Sequence, residues 1–145
     1  MIFIVHDFFH SWRKTVEEKF GPEVASDLVL RFWELVGQGT GDSYLKRRRD
    51  PGDIEQIVKA MVRASQVMGE SAVMVRDGED YLLVHEACPW IDSFKNYGAP
   101  GQCQPGCDRW FESAVVTIPA DISVTTESCL AAGDQTCRRR YRKIR

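Results

Sequence analysis

The sequence predicts an α+β fold in which N-terminal helices pack on a small antiparallel sheet formed by two β-hairpins flanking a helix. Three observations predict it. Apolar residues recur at spacings of three and four as far as Met68, the period changes to two after Gly69, and Asp77-Gly78 and Gly133-Asp134 mark two tight turns. Helices followed by hairpins, with no strand–helix alternation, point to segregated layers rather than a parallel sheet. The 145 residues, 43% hydrophobic and 28% charged, suit one ordinary globular domain over 1–145, with a helical half 1–70 and a cysteine-rich half 71–145.

Each element has a local reason. From His6 to Phe20, Phe9, Trp12, Val16 and Phe20 make a helical stripe, and Gly21-Pro22 ends that helix and opens the next. The second helix carries Val24, Leu28, Phe32 or Leu35, and Val36, and is expected to end at Gly37, Gly39 and Gly41. Asp42 caps a short segment through Arg49. Asp50-Pro51-Gly52-Asp53 then turns into a helix whose stripe is Ile54, Ile57, Val58, Met61, Ala64 and Val67-Met68. Residues 71–76 and 81–87 form the first hairpin. Cys88-Pro89-Trp90 closes it, a Gly- and Pro-rich loop is expected up to Pro105, and Asp108 to Thr117 reads as a helix. The second hairpin pairs 121–129 with 136–143.

No apolar run approaches the roughly 18 residues of a spanning helix, so no membrane partner is expected. Met1-Ile-Phe-Ile-Val5 meets His6 and Asp7 with neither a basic leader nor a cleavage site, so the expected localisation is cytoplasmic. The net charge of −2 hides an asymmetry. Six of nineteen bases lie in Arg138–Arg145, which leaves residues 1–137 with 13 bases against all 21 acids, a balance of −8. Lys46-Arg47-Arg48-Arg49 is a second basic run. Such runs more often solvate a surface or pair with Asp and Glu than bind phosphates, so nucleic acid is not the expected partner.

Five cysteines are the unusual feature of this composition. An odd count cannot pair completely, and a reducing compartment favours metal or thiol chemistry over a disulfide framework. Cys129 and Cys137 are equidistant from Gly133, so a symmetric hairpin sets them opposite one another. Glu127 lies two residues from Cys129 on the same strand face. Cys103 and Cys107 stand at the entry to the predicted helix, where its N-terminus lowers a thiol pKa. Cys103, Cys107, Cys129 and Cys137 together would suit Zn2+ or an iron–sulfur cluster, with Glu127 as an alternate ligand. Buried thiols with no metal are the plainer reading. Cys88 and His85 are candidates for a nucleophile and its base, although strict alternation sends them to opposite faces.

The stretch Thr126-Glu-Ser-Cys-Leu-Ala-Ala-Gly-Asp-Gln-Thr-Cys-Arg-Arg-Arg-Tyr141 resembles the closing signature of the 4-vinyl-reductase (hydrocarbon-binding) domain superfamily. From Trp12 and Phe20-Gly21 through Phe32-Trp33-Glu34 to the cysteine-rich half, the chain is similar to a related bacterial family, the L-2-amino-thiazoline-4-carboxylic acid hydrolase-like proteins. The resemblance implies a helical layer on an antiparallel sheet that encloses an apolar ligand pocket. It also implies a zinc ion held by an upstream cysteine, matching Cys103, a glutamate, and the hairpin pair Cys129 and Cys137. Where those relatives place the glutamate this chain has Thr126, with Glu127 one position later, which favours Cys107 as the fourth ligand.

The expected function is therefore a metal-binding, small-molecule-binding domain. Phe32, Trp33, Trp90, Trp110 and Phe111 would line a pocket for a small apolar or aromatic ligand. Two alternatives stand beside it: a C–N hydrolase acting on an aminothiazoline carboxylate-type ring, and an iron–sulfur or redox-sensing protein. A homodimer is compatible with all three.

Overall fold

The computed structural model describes residues 2–47 and 50–144. Arg48 and Arg49, half of the second basic run, lie outside the described residues, as does Arg145. Helix α1 (Ile2–Phe20) ends at Gly21, whose φ of +88° no branched residue adopts cheaply, and α2 (Pro22–Lys46) starts with proline at its first turn. Helix α3 (Ile54–Val67) is capped by Asp53, whose carboxylate accepts the Gln56 N–H at 3.1 Å. Strands β1 (Ser71–Asp77) and β2 (Asp80–Ala87) form the first hairpin. Helix α4 (Pro89–Asn96), a short 3-10 turn, and α5 (Cys103–Thr117) follow, and β3 (Ile122–Ser128) and β4 (Cys137–Lys143) complete the chain.

The sheet is antiparallel, with strand order β1-β2-β4-β3. The two hairpins join through β2 and β4, in a register that places Tyr81 beside Tyr141 and His85 beside Cys137. Helices α3 and α5 cover the inner face, where Leu83, Phe111, Ile57, Met61 and Tyr141 are fully buried.

Four expectations are corrected. Helix α2 does not stop at its glycines but runs through Gly37, Gly39 and Gly41 as one helix. A Cβ on Gly37 would stand 2.3 Å from the Trp110 carbonyl oxygen, and one on Gly41 would stand 2.7 Å from Thr117 Cβ. These glycines thus let α2 and α5 touch backbone to backbone, and that close packing outweighs their weak helix propensity. The buried face of α2 is Ala25, Val29, Trp33, Gly37, Gly41 and Tyr44, while Val24 and Leu28 are exposed.

Helix α1 departs from its predicted stripe as well. Phe9 is buried, but Trp12 and Phe20 are exposed, and the face turned inward carries His6, His10 and Arg13. His6 stacks on Trp90, His10 stacks on Tyr97, and Arg13 Nη2 donates to the Tyr97 carbonyl at 2.8 Å. Polar flat rings packed against α4 therefore replace an apolar seam. The loop expected after Trp90 is in fact α4: Pro89 opens a helix rather than ending a strand, and Trp90 and Phe94, four apart, bury its face. Helix α5 begins at Cys103, five residues before the expected Asp108.

Candidate functional site

Between α2, α4, α5 and the inner sheet face lies a narrow cavity, walled mostly by apolar groups. All five cysteines line it, and all five are free. Cys103 and Cys107 come from the first two turns of α5, Cys129 and Cys137 from the two arms of the second hairpin, and Cys88 from the junction of β2 and α4. Trp33, Trp90, Trp110 and Phe94 supply the aromatic wall. Of the other predicted pocket residues, Phe32 lines an outer groove beside α1, and Phe111 is buried beneath Arg139 next to a small polar crevice.

The hairpin pair is as close as the turn arithmetic requires. The sulfurs of Cys129 and Cys137 are 3.9 Å apart, and the Leu130 N–H donates to the Cys137 sulfur at 3.2 Å. Among the described residues, however, no three His, Cys, Asp or Glu side chains gather closely enough to hold a metal ion. The thiols share a cavity without forming a ligand cage. Glu127 does not join them: its carboxylate pairs with Arg140 and, at 3.9 Å, with Arg138. An irregularity in the pairing between Thr126 and Ser128 breaks the alternation that would have aligned it with Cys129.

The helix N-terminus does not make these thiols acidic. Burial pushes Cys103 up to about 12 and raises Cys88 and Cys107 further, so all three are neutral thiols at neutral pH unless a cation claims them. Burial raises Cys137 too, against the hydrogen bond from Leu130. As thiols they are poor nucleophiles, Cys88 included. His85 and Cys88 nevertheless line the same cavity, because the strand ends at Ala87 and Cys88 swings inward ahead of Pro89.

Two charged residues in the wall were not singled out by the sequence. Glu70, between α3 and β1, places Oε2 2.7 Å from His85 Nε2, with each side chain only 2% exposed. The same histidine nitrogen lies 3.0 Å from Ser65 Oγ. Arg139 projects inward from β4 between Cys137 and Tyr141, in strict alternation with its exposed or half-buried neighbours. Its Nη2 meets Asp108 Oδ1 at 3.3 Å, and its guanidinium carbon is 4.9 Å from the Phe111 ring centre. Alternation from Cys137 could have located Arg139, but its place in a run of three arginines hid it. Glu70 follows Gly69 with no periodic pattern to mark it.

Comparison with known proteins gives a family and a fold. The family described as L-2-amino-thiazoline-4-carboxylic acid hydrolase matches residues 2–141. Among curated proteins, none matches the sequence. The phenol-responsive sensory domain of the transcription activator PoxR, solved with phenol, superposes with a TM-score of 0.68 at 13% identity, over 94% of this chain and 73% of that one. A trafficking protein particle complex subunit 3 from Naegleria fowleri, covalently bound to palmitic acid, gives 0.63 at 12% identity, over 96% and 95%. An H-NOX domain from Shewanella oneidensis in its Fe(II)CO state gives 0.57 at 11%, over 95% and 75%. At such identities these likenesses establish the shared architecture. No helix among the described residues is long and apolar enough to cross a membrane.

Proposed function

We propose that this chain, which belongs to the L-2-amino-thiazoline-4-carboxylic acid hydrolase family, binds a small ring in its thiol-lined cavity and opens it by hydrolysis. The carrying observation is the Glu70–His85 contact of 2.7 Å, a carboxylate and an imidazole buried together in the wall of a small apolar chamber. Such a pair can take a proton from water and return it to a leaving group. In the proposed reaction, water adds to the ring carbon between nitrogen and sulfur while Glu70 accepts its proton. The pair passes that proton to the ring nitrogen, the hydroxyl of the adduct then gives up its own proton through the pair to the same nitrogen, and the C–N bond breaks to leave a free amine and a thiocarbamate carbonyl. The clustered tryptophans, Trp33 edge-on to Trp90 and tilted against Trp110, hold the ring and exclude bulk water, which strengthens the electrostatics of the site. Purified protein incubated with 2-amino-thiazoline-4-carboxylate is expected to consume it, and Glu70→Gln to slow turnover about 10²- to 10⁴-fold with melting retained. Absence of turnover by the wild type between pH 6 and 9 defeats this reading.

The 3.9 Å separation of Cys129 and Cys137 supports a second reading, in which thiolates hold zinc and the domain binds a small molecule without turning it over. As placed, the hairpin pair provides two ligands, and Cys103 or Cys107 has to move in to give a third, so no chemical step is assigned to a metal. Metal analysis of the purified protein, with melting measured before and after a chelator, tests it. A metal-free protein whose melting is indifferent to the chelator rejects zinc, and a colourless one rejects an iron–sulfur cluster.

A further inference from the structure

We infer that Arg139 is the anion-recognising end of the cavity, so that the molecule bound there carries a carboxylate and a neutral ring of the same size is discriminated against. This deepens the proposed function and rests on its premise that the cavity is the ligand site. Arg139 is 1% exposed, and a guanidinium stays charged at any accessible pH, so its charge cannot be relieved by losing a proton. A charge so buried needs partners. Asp108 engages only Nη2, at 3.3 Å, and is itself 27% exposed and already accepting the Thr126 hydroxyl at 2.6 Å. The Nε and Nη1 groups are buried with no hydrogen-bond partner among the described residues.

Nothing else in the wall answers them. Glu70 is engaged by His85, and the nearby sulfurs of Cys107 and Cys137 are weak acceptors. The Phe111 ring, 4.9 Å from the guanidinium carbon, restrains the guanidinium through a cation–π contact without offering it an acceptor. The Nε–H and the Nη1 N–H groups lie on different edges of the guanidinium, so a carboxylate oxygen can take either one in a charge-assisted hydrogen bond, stronger than any bond a neutral group would make there. The occupant that satisfies the site is therefore a small, flat carboxylate, its ring among Trp33, Trp90 and Trp110 and its acid group at Arg139.

The test is calorimetric titration at pH 7.5 of the full chain with 2-amino-thiazoline-4-carboxylate and with the corresponding carboxamide, against wild type, Arg139→Lys and Arg139→Gln. Wild type should bind the acid at least about tenfold more tightly than the amide, the scale of one charge-assisted hydrogen bond. Arg139→Gln should erase the preference and Arg139→Lys keep part of it. Equal affinities in wild type, a preference that survives Arg139→Gln, or no binding of the acid at millimolar concentration overturns the inference. If Arg139→Gln does not fold, the acid–amide ratio in wild type and in Arg139→Lys decides. Arginine-dependent binding without turnover leaves the inference standing and removes the hydrolase reading. Turnover of the amide as fast as the acid does the reverse.

Discussion

The sulfurs of Cys129 and Cys137 face each other at 3.9 Å across the base of the second hairpin, with no disulfide between them. Both belong to a set of buried or half-buried thiols, of which Cys103 is raised to about 12 and Cys88, Cys107 and Cys137 are raised by desolvation as well. Since only the thiolate alkylates, iodoacetamide at pH 8 is expected to label the native protein slowly and all five cysteines quickly in denaturant. Mass spectrometry of timed samples checks this. Rapid native labelling of Cys103 or Cys107 contradicts the burial argument.

The α2–α5 seam makes a sharp prediction because two neighbouring glycines differ. Gly37→Ala drives a methyl group into the Trp110 carbonyl and should cost about 2–3 kcal/mol, since backbone cannot step aside as a side chain can. Gly39, two residues on, meets nothing within 4 Å, so Gly39→Ala should gain about 0.5–1 kcal/mol through helix propensity. Urea denaturation of the two variants should therefore move in opposite directions.

Stability should fall with pH on account of α1. His10 is lowered to about 4, first by burial and then by Arg13 and His6, with Asp7 opposing; His6 is lowered by burial, against Glu70 and Asp7. Folding thus keeps His10 neutral while the unfolded chain protonates it near 6.5. The unfolded state binds the extra proton, so stability declines as pH drops from about 6.5 to about 4 and the His10 contribution levels off below that. His10→Gln should remove up to about 1.4 kcal/mol per pH unit from that slope, the value of one proton. Denaturation midpoints measured across this range check it, and an unchanged slope contradicts it.

Arg140 ties three carboxylates to the outer side of the sheet: Asp77 at 2.9 Å, Asp80 at 3.0 Å, and Glu127. Arg140→Met should lower the urea midpoint by loosening the join between the hairpins, and the deficit should shrink in molar salt, which screens exposed pairs. A deficit of equal size at both salt concentrations shows that packing, not charge, accounts for it.

Both hairpins were legible because alternation and the Asp-Gly and Gly-Asp turns report strand pairing directly. The convergence of the cysteines was legible in outline, since an odd set spaced around a turn has few arrangements. The α2 glycines were not legible. Locally they signal a stop, and only the approach of α5 explains them. Helix α4 was missed because proline ends strands and begins helices with equal ease, and only the burial of Trp90 and Phe94 decides between the two. Glu70 and Arg139 escaped for a related reason: charge in a sequence predicts exposure, and a site that needs buried charge breaks that rule at the residues that matter.

The cavity wall draws on Trp33, on the stretch from Glu70 to Phe94, on the start of α5, and on the second hairpin, four parts of the chain that meet only when folding is complete. A molecule bound there has no corresponding site on the unfolded chain. Its binding energy is therefore added to the stability of the whole domain, growing with the logarithm of its concentration above the dissociation constant. Melting temperature thus becomes an assay that needs no knowledge of the chemistry. A panel of small acids ranked by the shift each produces would reveal the natural ligand class even where no turnover occurs.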